Sequence, residues 1–218
     1  MALMINKRKI SRRSFLKGGL FTAGAVALPN IIPSSALGAD GAAAPSNRIV
    51  MGAIGLGGMG NGNLGSFLNM KDVVVVGVCD IDRNHLDGAV KRVNEHYKNQ
   101  DCKGYKDYRE LIARGDLDAV SMATPDHWHA LTAIACARAG IDVYGEKPIS
   151  HDLKEGRALC DAFKRHGRVW QTGSWQRSVD NFHHACELVR NGRIGKIHTC
   201  EVGLPTGHAT DAKPVKAV

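Results

Sequence analysis

The feature that most constrains this chain is a glycine-rich turn, Gly55-Leu56-Gly57-Gly58-Met59-Gly60, set directly after the short apolar run 48–54. Such a turn alone fits many loops, and its surroundings narrow the reading. The run 73–79 is almost continuously apolar, as a strand buried on both faces requires, and Asp80 ends it twenty residues past Gly60. Strand, glycine turn, helix, strand and acid in that order describe a dinucleotide site. The first glycine allows the tight turn, the second lets backbone approach a pyrophosphate, and the third brings helix against strand. The acid accepts hydrogen bonds from a ribose 2′-hydroxyl. A glycine-rich loop with a helix-capping Asp is the plainer alternative. A carboxylate repels a 2′-phosphate, so Asp80 favours NAD, while Arg83 leaves NADP open. Gly55, Gly57, Gly58, Met59, Gly60, Asp80 and Arg83 are therefore the first candidate cofactor residues.

Beyond Asp80 the pattern repeats. Apolar runs at 117–123, 141–144 and 168–172 alternate with helical patterns at 84–97, 108–113, 129–139 and 152–166. Gly115, Gly140 and Gly167 follow helical patterns, where a left-handed cap is wanted. This alternation predicts an α/β class, a Rossmann-type doubly wound parallel sheet over 48–175. After that the pattern changes to one helix at 179–191 capped by Gly192, and one strand at 197–202. A single strand is not independently stable, so 176–218 is expected to hold a crossover helix and the beginning of a second, truncated α+β domain.

Two further motifs sit at carboxyl ends of predicted strands, where open α/β sheets bind ligands. In Thr124-Pro125-Asp126-His127-Trp128-His129, Pro125 opens the turn, Asp126 caps the helix, and both histidines and Trp128 face the crevice. The alternative is histidines that only cap and pack. A zinc site is disfavoured because no third ligand has suitable spacing, and no metal is expected. In Gly145-Glu146-Lys147-Pro148, a cationic nicotinamide and partial burial would both lower the pKa of the lysine, making Lys147 a candidate base or proton relay. Read alone, Glu-Lys-Pro is an ordinary surface turn.

The first forty residues read as a leader. Lys7, Arg8, Lys9, Arg12, Arg13 and Lys17 precede the first acid, Asp40; without them 23 basic residues face 21 acidic ones, a net +2 against +8 for the whole chain. A near-neutral body removes the electrostatic footprint of nucleic-acid binding. Ser11-Arg12-Arg13-Ser14-Phe15-Leu16-Lys17, the short apolar stretch 18–28 and the small residues Ala36-Leu37-Gly38 have signal-peptide architecture. The arginine pair resembles a twin-arginine export signal, which predicts a leader at 1–38, a linker at 39–47, folding before export and a periplasmic or secreted product with no membrane anchor. An ordinary secretory signal is the alternative. The six cysteines form no CxxC pair and mostly sit in apolar runs, so they read as buried thiols.

Taken together, the glycine turn with Asp80, Thr124 through His129, and Glu146-Lys147-Pro148 resemble the glucose–fructose oxidoreductase, inositol dehydrogenase and rhizopine-catabolism (Gfo/Idh/MocA) family, over 48–202. The resemblance implies an NAD(P)-dependent oxidoreductase acting on a sugar or cyclitol, with Lys147 catalytic at the nicotinamide ribose and substrate. It places Thr124, Pro125, His127 and His129 around the nicotinamide, and Glu146 beside the cofactor. The segment Trp170 to Arg177 matches the family's crossover, which puts Gln176 and Arg177 within reach of cofactor or substrate. In the family an Asp/His pair on the second domain works with the lysine; His183 and His184 come too early to be that pair. Full-length members of this kind are expected to allow homo-oligomers, and some exported members are glycosidases or epimerases that reuse one retained NAD.

Overall fold

The computed structural model describes residues 43–203; the leader at 1–38 and the start of the linker lie outside the described residues. The chain divides into two compact units between Gln171 and Thr172, slightly ahead of the boundary expected at 175. Strands β1 (Ile49–Ile54), β2 (Val73–Cys79), β3 (Lys103–Tyr105), β4 (Ala119–Met122), β5 (Asp142–Glu146) and β6 (Trp170–Gly173), the last of which runs through the division, form a six-stranded sheet in the order β3-β2-β1-β4-β5-β6. Every pairing from β3 through β5 is parallel. The order reverses between β1 and β4, which opens a crevice at the carboxyl ends of those strands.

Both faces of the sheet are covered, as the continuous apolar strands require. Helices α1 (Gly58–Leu68) and α2 (Arg83–Tyr97) close one face, burying Leu64, Leu68, Leu86 and Val93 against Met51, Val75 and Val78. Helices α3 (Tyr108–Ile112), α4 (Asp126–Arg138) and α5 (Leu153–His166) close the other, with Leu111, Ala133, Leu159 and Phe163 against Val120, Met122 and Val143. Burying a large aliphatic side chain is worth ~1.5–3 kcal/mol, so these two cores hold the sheet flat against its helices.

Local chemistry sets the ends. Asp82 accepts from the backbone N–H of Asn84 and His85, and Asp152 from that of Glu155 at 2.8 Å, satisfying first-turn donors. Gly115, Gly140 and Gly167 all take positive φ, at 74°, 80° and 60°. The short edge strand β3 was not expected from the sequence, because three residues with a Lys and a Gly give no apolar run. Helix α4 begins at Asp126, three residues before the expected start, with Pro125 at φ −59° and ψ 151° just ahead of it. Asp126 consequently lies in the first turn, complementing the helix dipole, and is not the cap expected of it; Pro125 holds that position.

The second unit contains a 3-10 turn (Trp175–Ser178) and α6 (Asp180–Arg190), followed by Gly192 at φ 69°. The strand expected at 197–202 is absent: those residues carry no regular structure. The cysteine expectation holds for Cys79, Cys102 and Cys136, which are buried, and fails for Cys160, Cys186 and Cys200, which are exposed; all six are free thiols. Cys160 lies on the outer side of α5, where an apolar neighbourhood in sequence does not mean one in space.

Candidate functional site

The glycine turn does three separate jobs. Gly55 sits at φ 80°, and a Cβ there would meet the Ala123 carbonyl oxygen at 2.5 Å. A Cβ on Gly60 would run into the Gly55 carbonyl, so β1, β4 and α1 converge only through bare backbone. Gly57 differs: nothing of the protein lies within 4 Å of its would-be Cβ. The fold makes no demand for glycine at Gly57, whereas an incoming group at the start of α1 would. That helix start has no side-chain cap, and uncapped first-turn N–H groups together with the dipole suit an anion such as a pyrophosphate. Gly58 and Met59 are exposed in the first turn of α1.

Gly55 and Gly57 open onto a cleft of about 600 Å³, which runs between the ends of β1, β2 and β4. Asp80, Ile81, Asp82, His85, Thr124, Pro125 and Trp128 share its walls. Asp80 is held firmly, its Oδ2 accepting from the Leu56 N–H at 2.6 Å and its Oδ1 from the Asp82 N–H at 2.8 Å. A carboxylate has about four acceptor sites, so ribose hydroxyls still find lone pairs there. The acid thus pins the glycine turn and stands on the cleft wall. We expect Asp80→Ala to weaken NAD binding about tenfold or more, to weaken NADP less, and to lower the melting temperature; each lost charged hydrogen bond is worth ~1.5–3 kcal/mol. Isothermal titration with both cofactors checks this, and tighter NADP binding by the unaltered protein would refute the preference.

Arg83 is absent from these walls; it pairs at 3.3 Å with Asp87, one turn along α2, and its side chain is 82% exposed. Lys106, Tyr108 and Arg109 line the cleft instead, with the Arg109 guanidinium 2.6 Å from Asp107. That contact holds the Asp107 carboxyl below the ordinary range. The sequence did not single these residues out because β3 gives no apolar run, and it is the end of β3 that brings Lys106 and the start of α3 to the crevice. Tyr108 and Trp128 meet edge to face, ring centroids 6.4 Å apart, and give the cleft an aromatic wall. Cys79 lines its floor, and burial, followed by the charge of Asp80, pushes that thiol up to about 12, so it stays protonated and is no nucleophile.

The second motif divides. Thr124 and Pro125 line the cleft, and the buried Thr124 hydroxyl has no hydrogen-bond partner among the described residues. The hydroxyl of Thr132, also on the cleft wall, is in the same position. Buried polar groups rarely remain unpaired, and a polar ligand would supply the missing partners. His127 is exposed and lies off the cleft walls. His129 departs from expectation: it is 1% exposed, its Nε2 lies 2.7 Å from the Thr124 carbonyl, and its Nδ1 bonds the Pro148 carbonyl. With each ring nitrogen facing a backbone carbonyl and the ring buried, it is not poised towards a ligand.

In the third motif Glu146 is buried and accepts from Asn63 Nδ2 at 2.9 Å, while Lys147 is exposed at the end of β5 with no hydrogen bond or ion pair among the described residues. Gly145 lies under the Trp170 ring, which leaves no room for a Cβ. Gln176 and Arg177 are exposed in the 3-10 turn of the second unit. Among the described residues no cluster of His, Cys, Asp or Glu could hold a metal ion, and no helix is long and apolar enough to cross a membrane.

Residues 49–174 match the family model described as an oxidoreductase family with an NAD-binding Rossmann fold. A myo-inositol 2-dehydrogenase of Thermotoga maritima is 30% identical over 152 residues, covering 70% of this chain and 44% of the relative. A glycosyl hydrolase family 109 protein of Shewanella sp. strain ANA-3 is 32% identical over 164 residues, covering 69% and 36%. Among solved structures, a myo-inositol 2-dehydrogenase from Lactobacillus plantarum superposes with a TM-score of 0.62 at 28% identity, over 69% of this chain and 43% of that one. The chain therefore spans less than half the length of the relatives it matches.

Proposed function

The chain belongs to the Gfo/Idh/MocA oxidoreductase family, with its NAD-binding Rossmann fold, and from that premise we propose that it carries the cofactor half of an enzyme that moves a hydride between nicotinamide and a hydroxyl-bearing carbon of a sugar or cyclitol. The observation that carries this reading is the pairing of an uncapped α1 start, open at Gly57, with the unpartnered Thr124 and Thr132 hydroxyls along the same cleft. Gly57 and the first turn of α1 hold the pyrophosphate, Asp80 the adenosine ribose, and Thr124 with Pro125 the nicotinamide end. NAD, once bound, supplies the hydride acceptor. Lys147, exposed and unpaired, takes the proton from the substrate hydroxyl and returns it in the reverse direction. NAD is the preferred cofactor because Asp80 faces the place of a 2′-phosphate; Lys106 and Arg109, rather than Arg83, are the cations that would tolerate NADP.

A second reading is supported by the glycosyl hydrolase family 109 relative: a glycosidase that oxidises and re-reduces its substrate on one retained NAD. Export through the arginine pair Arg12-Arg13, and homo-oligomer formation by a full-length form, complete the proposal. The test is a panel of inositols, free sugars and aryl glycosides, assayed with this chain and with a form extended into any downstream coding sequence. Stoichiometric NADH appearing at 340 nm with a polyol supports the dehydrogenase. Aglycone release without net NADH supports the glycosidase, and neither product from a form that binds NAD would defeat both.

A further inference from the structure

Lys147 is carried by a segment fixed on both flanks. On its amino side the carboxylate of Glu146, 7% exposed, accepts from Asn63 on α1. On its carboxyl side the Pro148 carbonyl is bonded by the ring of His129 on α4, which also reaches the Thr124 carbonyl. Carbonyl oxygens only accept, so the ring donates through whichever nitrogen bears hydrogen. The two anchoring helices are those that enter the cleft without a side-chain cap. One is the proposed pyrophosphate helix, and the other follows the Thr124-Pro125 turn.

Ordinary polar satisfaction would explain either anchor singly. It does not explain why a carboxylate is buried on one side of Lys147 and an imidazole on the other. Burying a polar group is a costly way to hold a loop, and a two-point tie leaves the intervening backbone little freedom. Positioning carries large consequences, since a displacement of ~1 Å can cost ~10²-fold in rate.

We infer that Asn63 and His129 are positioning residues, which fix the Glu146–Pro148 segment from both sides so that the free side chain of Lys147 stands at the nicotinamide end of the cleft. This rests on the reading of Lys147 given above. Neither residue touches the reacting atoms; both act through the backbone that presents the lysine.

The experiment measures acetylation of Lys147 by N-hydroxysuccinimide acetate, followed by peptide mass spectrometry, with and without saturating NAD. Lys91, 75% exposed on α2, serves as internal reference. In the unaltered chain NAD should slow Lys147 labelling about fivefold or more while sparing Lys91. Asn63→Ala and His129→Gln should each lose most of that protection yet keep NAD affinity within about threefold, a change of ~0.7 kcal/mol or less. Asn63 is a partly exposed helix position, so Asn63→Ala decides the matter if the buried His129→Gln variant fails to fold. Undiminished protection in a folded variant overturns the positioning role and leaves the Lys147 reading intact. Protection lost together with NAD affinity assigns these residues to cofactor binding and also overturns it. No protection in the unaltered, NAD-binding chain removes the Lys147 reading and the inference built on it.

Discussion

Gly60→Ala is expected to destabilise the first unit by about 3 kcal/mol, at the upper end of what overpacking a tight site costs, and to abolish NAD binding. The added methyl has nowhere to go: it meets the Gly55 carbonyl, backbone that cannot swing aside, and Ala123 lies close behind. Relief requires α1 to move off β1, which uncovers Leu64 and Leu68 in the core. For a domain of this size the loss corresponds to a fall of about 10 °C in Tm. Gly57→Ala is the informative contrast. Its φ of −64° and ψ of −165° suit alanine, and the methyl points into open space. Stability should change by about 1 kcal/mol at most, from the weaker preference for Ala at a helix start. NAD affinity should nevertheless drop at least about tenfold, because the methyl occupies the closest approach of a pyrophosphate. Thermal melts and NAD titrations on both variants separate the roles. Equal NAD binding by Gly57→Ala and the unaltered chain would remove the pyrophosphate from α1.

That contrast also marks how far the sequence could be read. The glycine turn, its strand and the acid after β2 were legible because each follows from steric and hydrogen-bonding demands that few residues meet. Strands β1, β2 and β4 were legible for a related reason: burial on both faces leaves a largely apolar trace. The edge strand β3 leaves none, and missing it concealed Lys106, Tyr108 and Arg109 on the cleft wall. The rest of the site turned on partners distant in sequence. Asn63 meets Glu146 across 83 residues, and His129 meets Pro148 across 19. No local pattern distinguishes a histidine that faces a crevice from one that ties two loops together. Arg83 is the opposite case, since its partner Asp87 stands one helical turn away and its side chain is off the cleft walls. The segment 197–202 has the composition of a strand, but composition supplies no neighbour, and among the described residues it pairs with none and is irregular.

Lys147→Ala should lower turnover about 10²–10⁴-fold, the usual cost of removing a general acid or base, with NAD affinity changed by no more than about threefold, or ~0.7 kcal/mol. The separation follows from where the residue stands. Lys147 has no hydrogen bond or ion pair among the described residues and lies at the exposed end of β5, so its loss leaves neither a cavity nor an unpaired partner. Folding and the glycine turn are untouched. Lys147→Arg sharpens the test. Arginine keeps the positive charge and some of the reach but does not give up its proton in proteins. If Lys147 moves the substrate proton, Lys147→Arg should be nearly as inactive as Lys147→Ala. If the lysine serves only as a fixed charge, Lys147→Arg should retain most of the activity. The measurement is the initial rate of NADH formation, or of aglycone release where no net NADH appears, using whichever form of the protein turns over in the substrate panel. Binding of NAD is followed in parallel by titration. Full activity in Lys147→Ala would take the proton-transfer role away from the Glu146-Lys147-Pro148 segment and direct the search to the aromatic wall of Tyr108 and Trp128.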